Sequence, residues 1–207
     1  KDPDQFTQAL CTAAATQLDR VLPAADSPGG RFLTRVRCLR AWMPELNLPA
    51  FDDAQLREML PWLCAGKRSF AELRDGAWLD LLLGALTAQQ RRLVEREAPE
   101  RIEVPSGSHI LVQYELGKPP VLAVRMQELF GLKETPRLAG GRVPVLLHLL
   151  APNQRPQQVT DDLASFWKNV YPRIRKELRA RYPKHAWPED PLTAPPVKNA
   201  CRRRSRG

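Results

Sequence analysis

The 207 residues are 43% hydrophobic and 27% charged, a balance that fits one or two soluble globular domains and excludes a fibrous or disordered chain. The longest uncharged run, Gln5–Leu18, carries three threonines and three glutamines and is too short and polar to span a bilayer. The net charge of +9 is confined to one end: residues 168–207 hold 12 Lys or Arg against 3 Asp or Glu, and residues 1–167 hold 20 of each, so an anionic partner is expected there.

The chain opens at Lys1 without an initiator methionine or a secretory signal, so a piece of something longer is expected. Cys11, Cys38, Cys64 and Cys201 form no CxxC pair. Reduced, inert thiols in a cytoplasmic protein are expected, with no disulfide framework and no zinc site.

Asp2-Pro3 predicts a cap and first residue for a helix reaching about Leu22. Ser27-Pro28-Gly29-Gly30 predicts a break. A second helix is expected from Arg31 to Met43, with Phe32, Val36, Leu39 and Met43 on one face and Arg35, Arg37 and Arg40 around the rest. Asp52 or Asp53 caps a third, carrying Leu56, Met59, Leu60 and Leu63, which Pro61 should end or kink. Ser69–Glu72 and Thr87–Gln90 both match the capping box. Trp78–Leu83 between them reads as a buried helical segment. Arg91, Arg92 and Arg96 alternate with Glu95 and Glu97, which suits a neutral solvated face.

From Pro99 onward the apolar spacing changes to that of strands. Ile110, Val112, Tyr114 and Leu116 alternate with Leu111, Gln113 and Glu115, and Ile102 and Val104 suggest a shorter strand before them. Pro119-Pro120 marks a turn or edge, then Val121–Val124 a strand passing into a short helix, Arg125–Phe130, stopped by Gly131. Gly140-Gly141 marks a turn, Val143–Leu150 a strand, and Gln157–Thr160 its hairpin partner.

Thr160-Asp161-Asp162 caps the last folded element, where Leu163, Phe166, Val170, Ile174 and Leu178 recur at helical spacing. Pro172 should break or kink it. Lys168, Arg175 and Arg179 read as a stripe away from the apolar arc, and Lys176, Arg181 and Lys184 extend the basic set. These six cations are the candidate nucleic-acid-binding residues, because cations neutralise phosphates. Trp167, Tyr171, Tyr182 and Trp187 stand among them, and exposed aromatics would stack on unpaired bases, whereas Trp167 suits a core. No phosphate-binding loop, GxSxG or HExxH is present, and His109, His148 and His185 are far apart in sequence. No catalytic or metal-ligating constellation is expected.

The fold class expected is α+β, a helical N-terminal half followed by a small antiparallel sheet or partial barrel with C-terminal helices. The division expected is a helical region over 1–99, a β-rich module closed by helices over 100–190, and a basic disordered tail over 191–207.

Five stretches come in a recognisable order. They are Val104-Pro105-Ser106-Gly107-Ser108, Leu122 to Gly131, Gly141-Arg142-Val143-Pro144, Asp162-Leu163 with Phe166-Trp167, and Lys176 to Pro191. Together they resemble the C-terminal region of bacterial HrpB-type ATP-dependent helicases over about residues 100–195. The resemblance implies a DExH-box, superfamily 2 RNA helicase as parent, with ATP and Mg²⁺ held by motor domains upstream. No cofactor is expected in this segment, since no residue here matches those motifs. RNA or single-stranded nucleic acid and the upstream motor domains are the implied partners. The alternative is a protein-interaction module in which the charge is incidental.

Overall fold

The computed structural model describes residues 3–198. The chain divides into two compact units, one of residues 1–98 with Tyr114–Gly117, the other of residues 99–113 and 118–207. Asp2, read as the first cap, lies outside the described residues, as do Cys201 and the four arginines of 202–206.

The first unit is helical: α1 (Pro3–Thr16), α2 (Pro28–Trp42), α3 (Asp53–Cys64), α4 (Phe70–Arg74), α5 (Trp78–Gly84) and α6 (Ala88–Glu97). The first helix ends six residues earlier than expected, and a 3₁₀ turn, Leu18–Arg20, takes over. Ser27-Pro28-Gly29-Gly30 starts a helix instead of separating two. The Ser27 hydroxyl accepts the Gly30 amide at 3.1 Å, and Pro28 occupies the first turn, where its missing N–H costs nothing. The two glycines are there for proximity: a Cβ on Gly30 would sit 2.0 Å from the Ala24 carbonyl oxygen, and one on Gly29 would sit 2.9 Å from the Trp78 Cβ.

Pro61 does not end α3, which continues through it to Cys64. Pro61 faces solvent, so water can serve the carbonyl it orphans, while buried Leu56, Leu60 and Leu63 hold the opposite face in the core. Asp52 is the cap, accepting the Gln55 amide at 2.9 Å. At Thr87 and Gln90 both hydrogen bonds of the capping box form. Ser69 accepts the Glu72 amide, and its own hydroxyl is satisfied by the Glu72 carboxylate. Trp78 is the centre of this core, 1% exposed, with its indole N–H shared between the carbonyls of Val21 and Leu73.

The second unit holds a five-stranded sheet in the order β1 (Arg101–Glu103), β2 (His109–Gln113), β3 (Val121–Arg125), β6 (Leu146–Leu150), β7 (Pro156–Thr160). The fold class is α+β, and the sheet is open and mixed: β3 and β6 run parallel, and the other neighbours antiparallel. A parallel pair needs a crossover. Here it passes through a 3₁₀ turn, Met126–Leu129, and a small hairpin of β4 (Arg137–Leu138) and β5 (Val143–Pro144). The hairpin turn uses Ala139, Gly140 and Gly141, all at positive φ, so a non-glycine residue shares the turn with the expected pair.

Leu122 pairs with Leu147 and Val124 with Leu149, and all four are buried on one sheet face. Tyr114 and Leu116 do not extend β2 as their alternation suggests. They fall in the segment that belongs to the first unit, where the Tyr114 ring lies 6.1 Å from Trp42 and burial pushes its phenol well above the usual range.

Asp162 caps α7 (Leu163–Ser165), accepting the Ser165 amide at 2.9 Å. Phe166–Val170 then forms a π-helical turn and α8 spans Tyr171–Arg181. Pro172 explains the π turn. It has no N–H for the Lys168 carbonyl, and widening the preceding turn takes up the mismatch while the Tyr171 amide reaches Phe166. Phe130, Phe166, Trp167 and Tyr171 pack as an aromatic cluster with ring centroids 5.0–6.4 Å apart. The chain then lies against the unit: Pro191 is buried and its carbonyl accepts the Gly131 amide, and the Val197 amide donates to Gln127. The described part of the expected tail, 191–198, is therefore hydrogen-bonded to the sheet unit.

Candidate nucleic-acid interface

Five of the six predicted cations, Lys168, Lys176, Arg179, Arg181 and Lys184, are exposed, and no carboxylate pairs with them among the described residues. Arg175 is placed differently. Its side chain is only 16% exposed, its Nε donates to the Trp187 carbonyl at 2.9 Å, and its Nη2 lies 3.3 Å from Glu189. It ties the chain after α8 back to the helix. Arg173, which the apolar spacing did not single out, is exposed on α8 and also lacks an acidic partner among the described residues.

At about 100° per residue, Arg173, Lys176 and Arg179 fall opposite the buried arc of Tyr171, Ile174 and Leu178. Arg181 returns beside that arc, at the helix end, where the dipole favours a cation. Over residues 168–198 there are eight Lys or Arg and three acids, a surplus of five. One of those acids is Glu189, already used by Arg175.

The aromatics among these cations offer no stacking platform. Trp167, Tyr171 and Trp187 are buried, and each spends its polar hydrogen internally, on the carbonyls of Leu132, Pro188 and Tyr182. Tyr182 is half-buried against the edge of His185. What this surface presents is charge alone.

A second polar centre lies where β3 ends. Arg125 donates through Nε to Glu128 at 2.9 Å, and the Glu128 carboxylate, 5% exposed, also accepts the Ser106 hydroxyl at 3.0 Å. Burying a carboxylate is costly unless it is paired and hydrogen-bonded, and Glu128 is both. Beside it is a small recess of about 10 Å³, room for about one water molecule, lined by Arg125, Gln127, Pro152, His185, Ala186, Val197 and Lys198. Lys198 Nζ donates to the Gly107 carbonyl at 3.1 Å. Burial and the nearby Arg125 charge hold His185 below its usual range. The Gln127 amide nitrogen is buried with no hydrogen-bond partner. Sequence spacing could not gather these residues, which come from four separated segments. The sole sign of them was that Val104–Ser108, Leu122–Gly131 and Lys176–Pro191 were three of the stretches that carried the resemblance.

Burial pushes the Cys38 thiol up to about 11 and the Cys64 thiol, beside Cys11, up to about 12, so both stay protonated at neutral pH and are poor nucleophiles. Among the described residues no three His, Cys, Asp or Glu side chains are grouped to hold a metal ion, and no helix is long and apolar enough to cross a membrane.

Residues 59–191 match the family described as ATP-dependent helicase C-terminal, HrpB_C. Over 168 residues the chain is 43% identical to the ATP-dependent RNA helicase HrpB of Escherichia coli K12, covering 79% of this chain and 21% of that protein. The crystal structure of the E. coli DExH-box NTPase HrpB matches with a TM-score of 0.84 at 38% identity, over 95% of this chain and 25% of the other. That of the Escherichia coli DEAH/RHA helicase HrpB gives 0.71 at 37%, over 90% and 24%. This chain thus spans about a fifth of the curated relative's length.

Proposed function

This chain belongs to the HrpB_C family of ATP-dependent helicase C-terminal regions, and from that premise we propose that it is the accessory, nucleic-acid-binding region of an ATP-dependent RNA helicase. ATP hydrolysis and its Mg²⁺ belong, in this reading, to motor domains elsewhere in the helicase. The observation that carries the proposal is the set of exposed cations on and after α8 with no acidic partner among the described residues. Cations held in water beside a folded surface are free to displace counterions from a phosphate backbone, and that release supplies sequence-independent affinity. With Trp167, Tyr171 and Trp187 buried and Tyr182 half-buried against His185, the contact is to phosphates and not to base faces, so little sequence preference is expected.

The test is fluorescence anisotropy of a labelled 20-nucleotide single strand titrated with the 207-residue chain across a salt series. Five phosphate contacts give a slope of log K against log salt near −3.5 on a single strand, about −0.7 for each. A slope near zero, or no binding at about 50 mM salt, refutes the reading.

A protein-docking role has one observation in its favour, within the helical unit. A groove of about 500 Å³ is lined by Phe51, Met59, Leu81 and Trp62, whose indole is 78% exposed. Glu58 and Asp80 are its charged lining residues, which disfavours phosphate there, and an exposed tryptophan beside a groove is the kind of anchor that protein partners use.

A further inference from the structure

We propose that the groove between α3 and α5 in the helical unit docks a short segment of a separate protein, one that sets an arginine beside an apolar anchor. The proposal rests on the protein-docking observation above and gives that partner its chemistry. At about 500 Å³ the groove lies within the range of about 300–1,000 Å³ that binding clefts occupy. Glu58 and Met59 stand four and three residues before Trp62, so the three share one face of α3. Asp80, Leu81 and Gly84 line the groove from α5, and Phe51 lines it from the loop before α3.

Charge chooses the occupant. Glu58 and Asp80 are exposed, and neither pairs with a cation among the described residues. A cleft whose only charges are negative repels a phosphate strand and attracts a basic side chain. Trp62 has no ring or cation against it among the described residues. Tryptophan is the best ring for holding a cation over its face, and a guanidinium can stack there while its planar fork meets a carboxylate. Glu58, one turn before Trp62, is placed to take that fork. Met59 and Leu81 offer the apolar contact, the methionine adapting its shape to the side chain it receives. The wall at Phe51 is fixed beforehand. Phe51 is buried at φ 47, its amide donates to Gln55 Oε1 at 2.6 Å, and its carbonyl accepts Arg37. Little ordering is left there to oppose binding.

Gly84 provides the means to close the groove. It is exposed, and a Cβ built on it meets nothing within 4 Å, so Gly84→Leu fills the space without straining the fold. A random dodecapeptide library displayed on phage is selected on the 207-residue chain, and enriched peptides are measured by fluorescence anisotropy. They are expected to carry arginine next to Leu, Ile, Met or an aromatic residue. Trp62→Ala and Gly84→Leu should each weaken them more than about tenfold, the loss expected at an interface hot spot. Glu58→Gln combined with Asp80→Asn should weaken them about tenfold and flatten their salt dependence. Urea midpoints of all these variants should match that of the unsubstituted chain, so that lost binding is not lost folding. Replacing Lys176, Arg179 and Arg181 with Ala should leave peptide binding unchanged, which separates the groove from the α8 surface. Peptides indifferent to both Trp62→Ala and Gly84→Leu, or no enrichment at all, remove the groove and the protein-docking reading with it. Groove-dependent peptides without arginine keep that reading and overturn the proposal. Self-association in sedimentation velocity that Gly84→Leu abolishes assigns the groove to a second copy of the chain. Peptide binding that is lost in the complete helicase polypeptide assigns it to the helicase's own domains, the one arm that rests on the helicase reading. Either result also overturns the proposal.

Discussion

Helices α2 and α8 are both rich in arginine, and they use it in opposite ways. In α2 the side chains of Arg35, Arg37 and Arg40 all end on backbone carbonyls, those of Ala98, Phe51 and Leu48, and Arg35 also meets Glu95. In α8 and the turn after it, Arg173, Lys176, Arg179, Arg181 and Lys184 reach solvent, and Arg175 alone folds inward. The first helix spends its cations on closing the loops that return to it. The second leaves them in solvent. Charge count does not distinguish the two; the nearest acceptor does.

The difference is sharpest at Arg35, which is 4% exposed. Its replacement by Ala removes a buried guanidinium and leaves the Ala98 carbonyl without its donor. The expected loss in urea unfolding is about 3 kcal/mol, from the cavity and the orphaned acceptor together. A loss under about 1 kcal/mol would mean that the α2 arginines are as dispensable to folding as those of α8, and the contrast would collapse. Glu95 is 61% exposed, so Glu95→Gln should cost far less, within about 1 kcal/mol.

The converse experiment replaces Lys176, Arg179 and Arg181 with Ala. Stability should hold to within about 0.5 kcal/mol, as is usual for surface positions without partners. The salt slope on a single strand should become shallower by about 2, three contacts at about 0.7 each. Affinity at about 0.1 M salt should fall by more than tenfold. Unfolding of this variant would show the three cations to be structural, and an unchanged slope would move the interface elsewhere.

Part of this contrast was legible in the residues and part was not. Caps and apolar spacing announced α2, α3, α6 and the start of α7, because those signals are local. The same locality misled at Ser27-Pro28-Gly29-Gly30, where small residues serve a close approach to Ala24 and Trp78 that no neighbouring position reveals. Pro61 was overridden by burial on the far side of its helix. Tyr114 continued the alternation of β2 yet belongs with Trp42, a pairing 72 positions away in sequence. The parallel register of β3 and β6 and the recess at Arg125 are likewise products of distant segments meeting. For the cations, their number and location could be read directly, but whether each had an acceptor could not. Arg175 shows why: its carbonyl partner comes from Trp187, after the chain has turned back.

Arg175 is the test within α8 itself. Arg175→Ala should cost about 1 kcal/mol of stability, the usual worth of a hydrogen bond from a charged donor that is half-screened. The salt slope should stay unchanged, since this guanidinium faces Trp187 and Glu189 and not a strand. A slope shallower by about 0.7 would instead count Arg175 among the phosphate contacts.

The smallest effect concerns His185, which joins the two regions of the sheet unit that matter here, the turn after α8 and the recess. Burial and the Arg125 charge lower its pKa below the ordinary 6.5. The unfolded chain therefore binds a proton more readily than the folded one between the two values. Stability should rise with pH across that window, from the lowered folded-state value up to about 6.5, and flatten outside it. Urea midpoints measured from pH 5 to 8 should show a shallow rise that His185→Gln removes. A fall over the same interval would mean that the folded protein holds the proton more tightly, as it would if Glu128 rather than Arg125 dominated the field at the imidazole.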